Sequence, residues 1–563
     1  MKNKRNLYLF VFILIISALS CWVILSDSVY LGHDTLFHLS RIEGYANSLA
    51  NGKLFPDIYP LKNEGFGYGS ALFYCDFFLL IPSLLYNLGL SLTHCYAIYI
   101  YLVSLISSFT LVYACKQLTT NPYAPYVTIS LFLFSNYRIT NLYTRGALGE
   151  VSAMMMAPLL IGALAKLFIH HKDSTFALSL ALTGLIFSHN ISFVLWCIFC
   201  VVICLLNAKT ILHDIRLLKP LIIAPSIAFL LSACFTFAMI EQLNTQQLYV
   251  HYYGNSSNLN STAQPLWTLF NPFTMVSGHA GYKYNFDQTM NISLGWLATL
   301  MPLAHYFIVD KKSGTRKYLL QITTIGYICL LLSTGIINFD LIPQLKILQF
   351  AFRFISIALP CLCLSGAIAL CNNYYYPKLL MGATLLLITL GIAHQYPYLH
   401  ASLSIDSSVS YAQLLDGSLI DPYFGNSSYV RVEVAGADYL PIGGLNTKDY
   451  PKEVIEVSTN QSISFISDEF TINNSGAYIL PKTYYKGYQV CDMINQCHEV
   501  SRYNDGRCYI SLSEAGTYHL VYQKTTAHKT GITISLITAL SLLIFWIVHS
   551  VLNKRRCKMK TFS

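Results

Sequence analysis

Charged side chains are scarce in this chain: 36 Lys and Arg and 27 Asp and Glu among 563 residues, or 11%, against about 25% in soluble domains. With 54% apolar residues, that shortage excludes a soluble enzyme, a disordered scaffold and a nucleic-acid binder. A phosphate-cradling loop is also missing, since neither a P-loop nor a G-x-G-x-x-G follows a strand. No zinc-like cysteine spacing falls in a polar segment. Of the 16 cysteines, many (Cys197, Cys200, Cys204, Cys361, Cys363) sit inside apolar runs, where they read as small packing residues.

What the chain has instead is long apolar runs, several approaching the ~20 residues a membrane helix needs. The first, Leu7 to Leu25, follows Lys2, Lys4 and Arg5 and has no convincing cleavage site. It reads as an uncleaved anchor with its N-terminus inside. Further spans are expected at 95–115, 123–140, 151–169, 175–188, 190–207, 220–240, 291–308, 318–336, 352–371, 378–396 and 531–552. The run 71–90 is long enough to cross but carries Asp76 and Pro82. If it crossed, the basic links around Lys172, Lys311–Lys317 and Lys554–Lys560 would all face outward, against the positive-inside rule. It is therefore expected to be a juxtamembrane or re-entrant helix on the outer side.

The expected fold is thus a polytopic α-helical membrane protein of about twelve spans with both termini cytoplasmic. Residues 1–396 form the bundle, with outer loops at 27–94 and 241–290. Residues 397–530 form an extracytoplasmic β-sandwich-like domain, and 531–563 the last span and a basic tail. The domain is inferred from alternating stretches (Tyr429–Val434, Ser462–Ser467, Tyr518–Tyr522) broken by Gly, Asn, Asp and Pro. Its aromatic turns, Tyr423-Phe424, Tyr484-Tyr485 and Tyr488, suit either sugar stacking or a sandwich core. Cys491 and Cys497 flank a short polar turn and are placed to pair, which would leave Cys508 over.

Charge near lipid is expensive and usually has a use, so the polar clusters at the outer boundary are the candidate site. In HDTLFHLSRI (33–42), Asp34, His38 and Arg41 share one helical face. A carboxylate and an imidazole there can take a proton from a hydroxyl, and an arginine can hold a phosphate. An N-cap aspartate on an interfacial helix has the same pattern. In SNYRITNLYTRGALGE (135–150), Arg138 and Arg145 precede Glu150. Two arginines at the mouth of a bundle suit an anionic ligand that stays in the membrane, although either alone could be a snorkelling anchor. His33, His189, Glu241 and Arg353 fall on the same expected side.

These segments carry a family resemblance. HDTLFHLSRI, NGKLFPDIYP, GYGSALFY, SNYRITNLYTRGALGE, the SHN hairpin, LKILQFAFRF, ADYLPIG and LPKTYYKGYQV occur in order, and resemble the YfhO-like bacterial membrane proteins, also labelled 6-pyruvoyl-tetrahydropterin-synthase-related. That group is similar to GT-C glycosyltransferases. The resemblance implies an enzyme taking a sugar from a polyprenyl-phosphate donor at the outer face of the cell membrane. The acceptor would be a cell-envelope glycan or teichoic acid. It makes Asp34 and Glu150 the catalytic candidates; the residues themselves add His38, and offer Arg145, Arg353, Arg41 and Arg138 as donor-phosphate contacts. A divalent cation is compatible with such carboxylates, and no particular cofactor is indicated. Cys75-Asp76 departs from the apolar residues expected there. A polysaccharide polymerase or ligase, or a lipid-carrier flippase, are the competing readings.

Overall fold

The computed structural model describes residues 2–26, 32–251, 259–270, 292–307, 314–373, 376–402, 438–443 and 450–560. Most of the loop 241–290, expected on the outer side, the Tyr429–Val434 stretch and Tyr423-Phe424 lie outside the described residues.

Among the described residues six helices are long and apolar enough to cross a membrane: Leu92–Leu118, Leu148–His170, Ile215–Thr245, Ala351–Asn372, Pro377–Leu399 and Thr526–Val551. The protein is a multi-pass helical membrane protein. Leu148–His170 and Ala351–Asn372 are 89% and 94% buried and form the centre of the bundle, whereas Thr526–Val551 is 11% buried and lies on its flank. The flanking helix docks on Ile215–Thr245 through small and polar residues, as membrane helices commonly do. A Cβ on Gly531 would lie 2.2 Å from the Ala233 carbonyl oxygen, and Ser535 Oγ accepts the Cys234 N–H at 2.9 Å.

Several expected spans are shorter or broken, each for a local reason. The anchor is helical over Lys2–Leu19 and again over Trp22–Leu25, with a break at Ser20-Cys21. The 123–140 run divides into Ala124–Leu133 and Asn136–Leu142, because Ser135 turns extended and caps the Arg138 N–H. The described part of 291–308 is three short helical pieces around Pro302, which lacks the N–H a continuous helix needs. Phe77–Asn87 is an eleven-residue apolar helix. At 1.5 Å per residue it reaches ~16 Å, about half a bilayer's hydrocarbon thickness.

Outside the bundle, nine strands among the described residues form two antiparallel sheets. One has the order β2-β1-β4-β8-β7, and the other β3-β9-β5-β6, where β1 is Val454–Glu456, β2 Ser462–Ile463, β3 Glu469–Ile472, β4 Gly476–Thr483, β5 Tyr488–Asp492, β6 Cys497–Glu499, β7 Ser501–Arg502, β8 Arg507–Leu512 and β9 Gly516–Tyr522. Cys491 and Cys497 form a disulfide across the β5–β6 turn, and Cys508 is a buried free thiol. Tyr484, Tyr485 and Tyr488 are core residues, so the stacking platform they suggested in sequence is closed by packing.

The β-domain is fastened to loops of the bundle. The Thr483 N–H donates to the Phe66 carbonyl at 2.7 Å. Gln242 and Lys486 exchange two hydrogen bonds, at 2.7 and 3.1 Å. A strap, 438–443, pairs antiparallel with 247–250: Val250 N–H donates to the Asp438 carbonyl, Tyr249 N–H to Leu440, and Ile442 N–H to Gln247. Its Tyr439 ring stacks on Phe73 with centroids 5.5 Å apart, and its carbonyl accepts the Tyr485 hydroxyl at 3.0 Å.

Candidate functional site

Two loops distant in sequence clasp each other to set the site. The His33 and Asp34 N–H groups donate to the Thr144 and Arg145 carbonyls at 3.1 and 2.8 Å. The approach is too close for side chains. A Cβ on Gly32 would sit 2.1 Å from the Tyr143 carbonyl oxygen, and one on Gly146 (φ +60°) 2.2 Å from Thr35 Oγ1. This clasp places Asp34, at the start of the Thr35–Ala50 helix, beside Arg145 and the N-terminus of Leu148–His170.

Glu150 is the hub of the arginines. Arg353 Nε reaches Oε1 at 2.8 Å, Arg145 Nη1 reaches Oε2 at 2.8 Å, and the Tyr137 hydroxyl donates to Oε2 at 3.2 Å. Both oxygens of this buried carboxylate are thus engaged. Arg145 is further held by Asn141 Oδ1 at 2.5 Å. Arg353 is held by the Leu348 carbonyl at 2.8 Å and Gln349 Oε1 at 2.7 Å. The guanidinium carbons lie 4.9 Å from the Phe352 ring centre (Arg145) and 4.8 Å from that of Phe350 (Arg353). Gln349 adopts φ +62°, a conformation a non-glycine residue adopts at a cost of roughly 1–3 kcal/mol.

The histidines are fixed as donors. Arg41 Nη1 lies 3.0 Å from His38 Nδ1. A guanidinium can only donate, so Nδ1 accepts and Nε2 carries the proton. Burial, then the charge of Arg41 and of His189, holds His38 well below the ordinary histidine range, so it is neutral. His189 Nδ1 accepts the Ser192 N–H at 3.2 Å, which leaves its proton on Nε2 as well. The proton-accepting role expected of His38 is therefore corrected: the nitrogen with a lone pair is already occupied by Arg41.

A cavity of about 570 Å³ joins these groups, lined by Asp34, His38, Arg145, Glu150, His189 and Arg353. Sequence reasoning missed Asp438, which lines it too, with Lys346 and Tyr74. The ADYLPIG and LKILQFAFRF segments containing the first two were noticed, but no charge pattern marked them as site residues. Among the described residues, neither Asp34 nor Asp438 has a side-chain hydrogen bond or ion pair. Both are walled in by protein yet touch the cavity. Burial raises the Asp34 pKa against the opposing charge of Arg145; Glu150 adds to the rise and Arg353 opposes it. Burial and the charge of Asp34 push Asp438 up to about 6, with Arg353 opposing.

Four expected candidates do not line the cavity. Arg41 pairs with Asp76, which also accepts the Tyr59 hydroxyl, so the unexpected Asp76 is the partner that makes a buried Arg41 tolerable. Arg138 is wholly buried and donates to Ser104 Oγ at 2.6 Å and the Leu133 carbonyl at 3.1 Å. Glu241 pairs with Lys486 at 3.0 Å and accepts the Thr525 hydroxyl, fastening the β-domain. His33 is exposed and does not line the cavity. Among the described residues no group of three or more His, Cys, Asp or Glu side chains is placed to hold a metal.

No family model matches the chain. An uncharacterized protein of Lactococcus lactis subsp. cremoris (strain MG1363) is 25% identical over 258 residues, 43% of this chain and 41% of that protein. Among solved structures, the arabinofuranosyltransferase AftD from Mycobacteria aligns over 89% of this chain and 40% of its own, at 12% identity and a TM-score of 0.45. A mutant form of AftD aligns equally well, over 41% of its length. The chain thus spans about two-fifths of the length of the proteins it matches.

Proposed function

We propose that the protein is a membrane glycosyltransferase of GT-C type that moves a sugar from a polyprenyl-phosphate donor to a cell-envelope glycan or teichoic acid acceptor. The observation that carries this reading is one cavity holding an unpartnered carboxylate, Asp34, against an arginine pair locked by Glu150. A site of this composition suits a reaction in which an acid leaves as an anion while a hydroxyl loses a proton.

In this reading Asp34 accepts the proton of the acceptor hydroxyl as its oxygen bonds to the anomeric carbon. The anomeric carbon–oxygen bond to phosphate breaks, and the lipid phosphate departs with the electron pair, its charge met by Arg145, Arg353 and Lys346. Asp34 then returns its proton to water. His38 and His189 offer Nε2–H groups to oxygen atoms of the donor. Glu150 is a positioning residue, because both its oxygens hold arginines. The aliphatic wall of Ile191, Val194, Met239, Leu243 and Ile347 suits the first isoprene units. About twelve spans, with the termini inside and the cavity facing out, complete the proposal.

The test is transfer from radiolabelled undecaprenyl-phosphate sugars to cell-wall glycan by the purified chain. Label in the glycan fraction is expected. Lipid moving across vesicles without transfer would make the protein a flippase. Chain elongation from undecaprenyl-diphosphate oligosaccharides instead would make it a polymerase.

A further inference from the structure

The cavity lining includes aliphatic side chains and an aromatic cluster. The cluster is Phe37, Tyr68, Phe73, Tyr74 and Tyr439, whose ring centroids lie 5.5–6.5 Å apart, and the second unpartnered carboxylate, Asp438, also lines the cavity and immediately precedes Tyr439. We propose that this aromatic cluster forms a saccharide acceptor subsite, with Asp438 its hydroxyl-binding residue. This rests on the glycosyltransferase reading and adds to it the residues that choose the acceptor.

Three observations support it. First, a carboxylate without protein partners can accept hydrogen bonds from two neighbouring hydroxyls, the pattern a sugar ring presents, and charge-assisted bonds of this kind are strong. Glu150 cannot serve, since its oxygens are filled. Second, sugar rings have an apolar C–H face that packs on aromatic side chains, and Tyr439, the residue after Asp438, contacts Phe37, Phe73 and Tyr74. Third, Asp438 is held by backbone: its own carbonyl and those of Tyr439 and Leu440 all accept bonds, from Val250, Tyr485 and Tyr249. A residue so fixed is preorganised to orient a ligand. Asp34 and Asp438 line the same cavity, so one acceptor bound there can meet both carboxylates.

The test uses the purified full-length chain. Carbodiimide labelling of Asp438, read by mass spectrometry, is measured alone, with undecaprenyl phosphate, and with methyl glycosides of glucose, galactose, mannose and arabinofuranose. At least one glycoside is expected to slow labelling of Asp438 severalfold, and undecaprenyl phosphate to leave it unchanged. In the transfer assay, Asp438→Asn is expected to raise the acceptor KM by about tenfold with little change in kcat and none in undecaprenyl-phosphate affinity, and Asp438→Glu to recover part of the loss. Protection by the lipid but by no glycoside overturns the proposal, as does a fall in kcat at unchanged KM. Glycoside protection without transfer from any lipid-linked sugar leaves the subsite standing and removes the transferase reading instead.

Discussion

Arg353 Nε meets Glu150 Oε1 at 2.8 Å across 203 residues of chain, and this contact ties the central helix Leu148–His170 to the start of its neighbour Ala351–Asn372. Glu150 makes the same contact with Arg145 through its other oxygen. Removing one member of a buried ion cluster typically costs about 3–5 kcal/mol. Glu150→Gln is therefore expected to lower thermal stability sharply. Combined with Arg353→Gln, its effect should be clearly less than additive in a denaturation cycle. Additive losses would mean that the pair is not coupled.

Asp34→Asn should leave folding and undecaprenyl-phosphate binding intact while cutting turnover by about 10²–10⁴-fold. A base works only when ionised, and the Asp34 pKa is raised. The acid limb of the pH–rate profile should accordingly lie above the ~3.9 of an ordinary aspartate, with activity rising as pH rises through it. Full turnover in a folded Asp34→Asn variant removes Asp34 from the mechanism.

Arg145→Ala and Arg353→Ala should weaken undecaprenyl-phosphate binding more than the lysine replacements do, because lysine keeps the charge but loses the bidentate fork. Arg138→Lys serves as the comparison: its partners are Ser104 and the Leu133 carbonyl, so lipid affinity should not change. Equal affinity in all three arginine series would place the phosphate elsewhere.

Gly146→Ala forces a side chain into φ +60° and against Thr35 Oγ1. It should separate the two clasped loops, displacing Asp34 from Arg145, and reduce transfer far more than Gly52→Ala, which also stands at positive φ (+75°) but has nothing within 4 Å. Comparable losses in the two variants would point to backbone strain alone.

For topology, an added cysteine at Asn460 in the β-domain should react with an impermeant maleimide from outside, and one at Lys172 should not. The reverse pattern would turn the cavity to the cytoplasm.

The apolar runs and the boundary clusters were legible because both follow from local composition. Asp34, Arg145, Glu150 and Arg353 stand out as charges beside lipid, and all four line one cavity. The same signal also selected Arg41, Arg138 and Glu241, since burial beside lipid demands a partner as readily as it marks a site. Asp76 answered Arg41 from 35 residues away, and nothing local in the chain announces that pairing. Asp438 was hidden for a related reason. Its neighbours read as an ordinary turn, and only the pairing of 438–442 with 247–250 brings it to the cavity. Helix breaks at Ser135 and around Pro302 were underestimated because hydropathy averages over the residues that interrupt a span.

The strap also sets an order of assembly. Asp34, the arginines and every helix up to Ser402 are made before Asp438 leaves the ribosome, yet the aromatic wall is not complete until Tyr439 settles on Phe73. A chain still in synthesis, or cut short before residue 438, would carry the proposed base and phosphate clamp with one side of the chamber open to water. The chamber therefore stays unsealed until synthesis has entered the final quarter of the polypeptide.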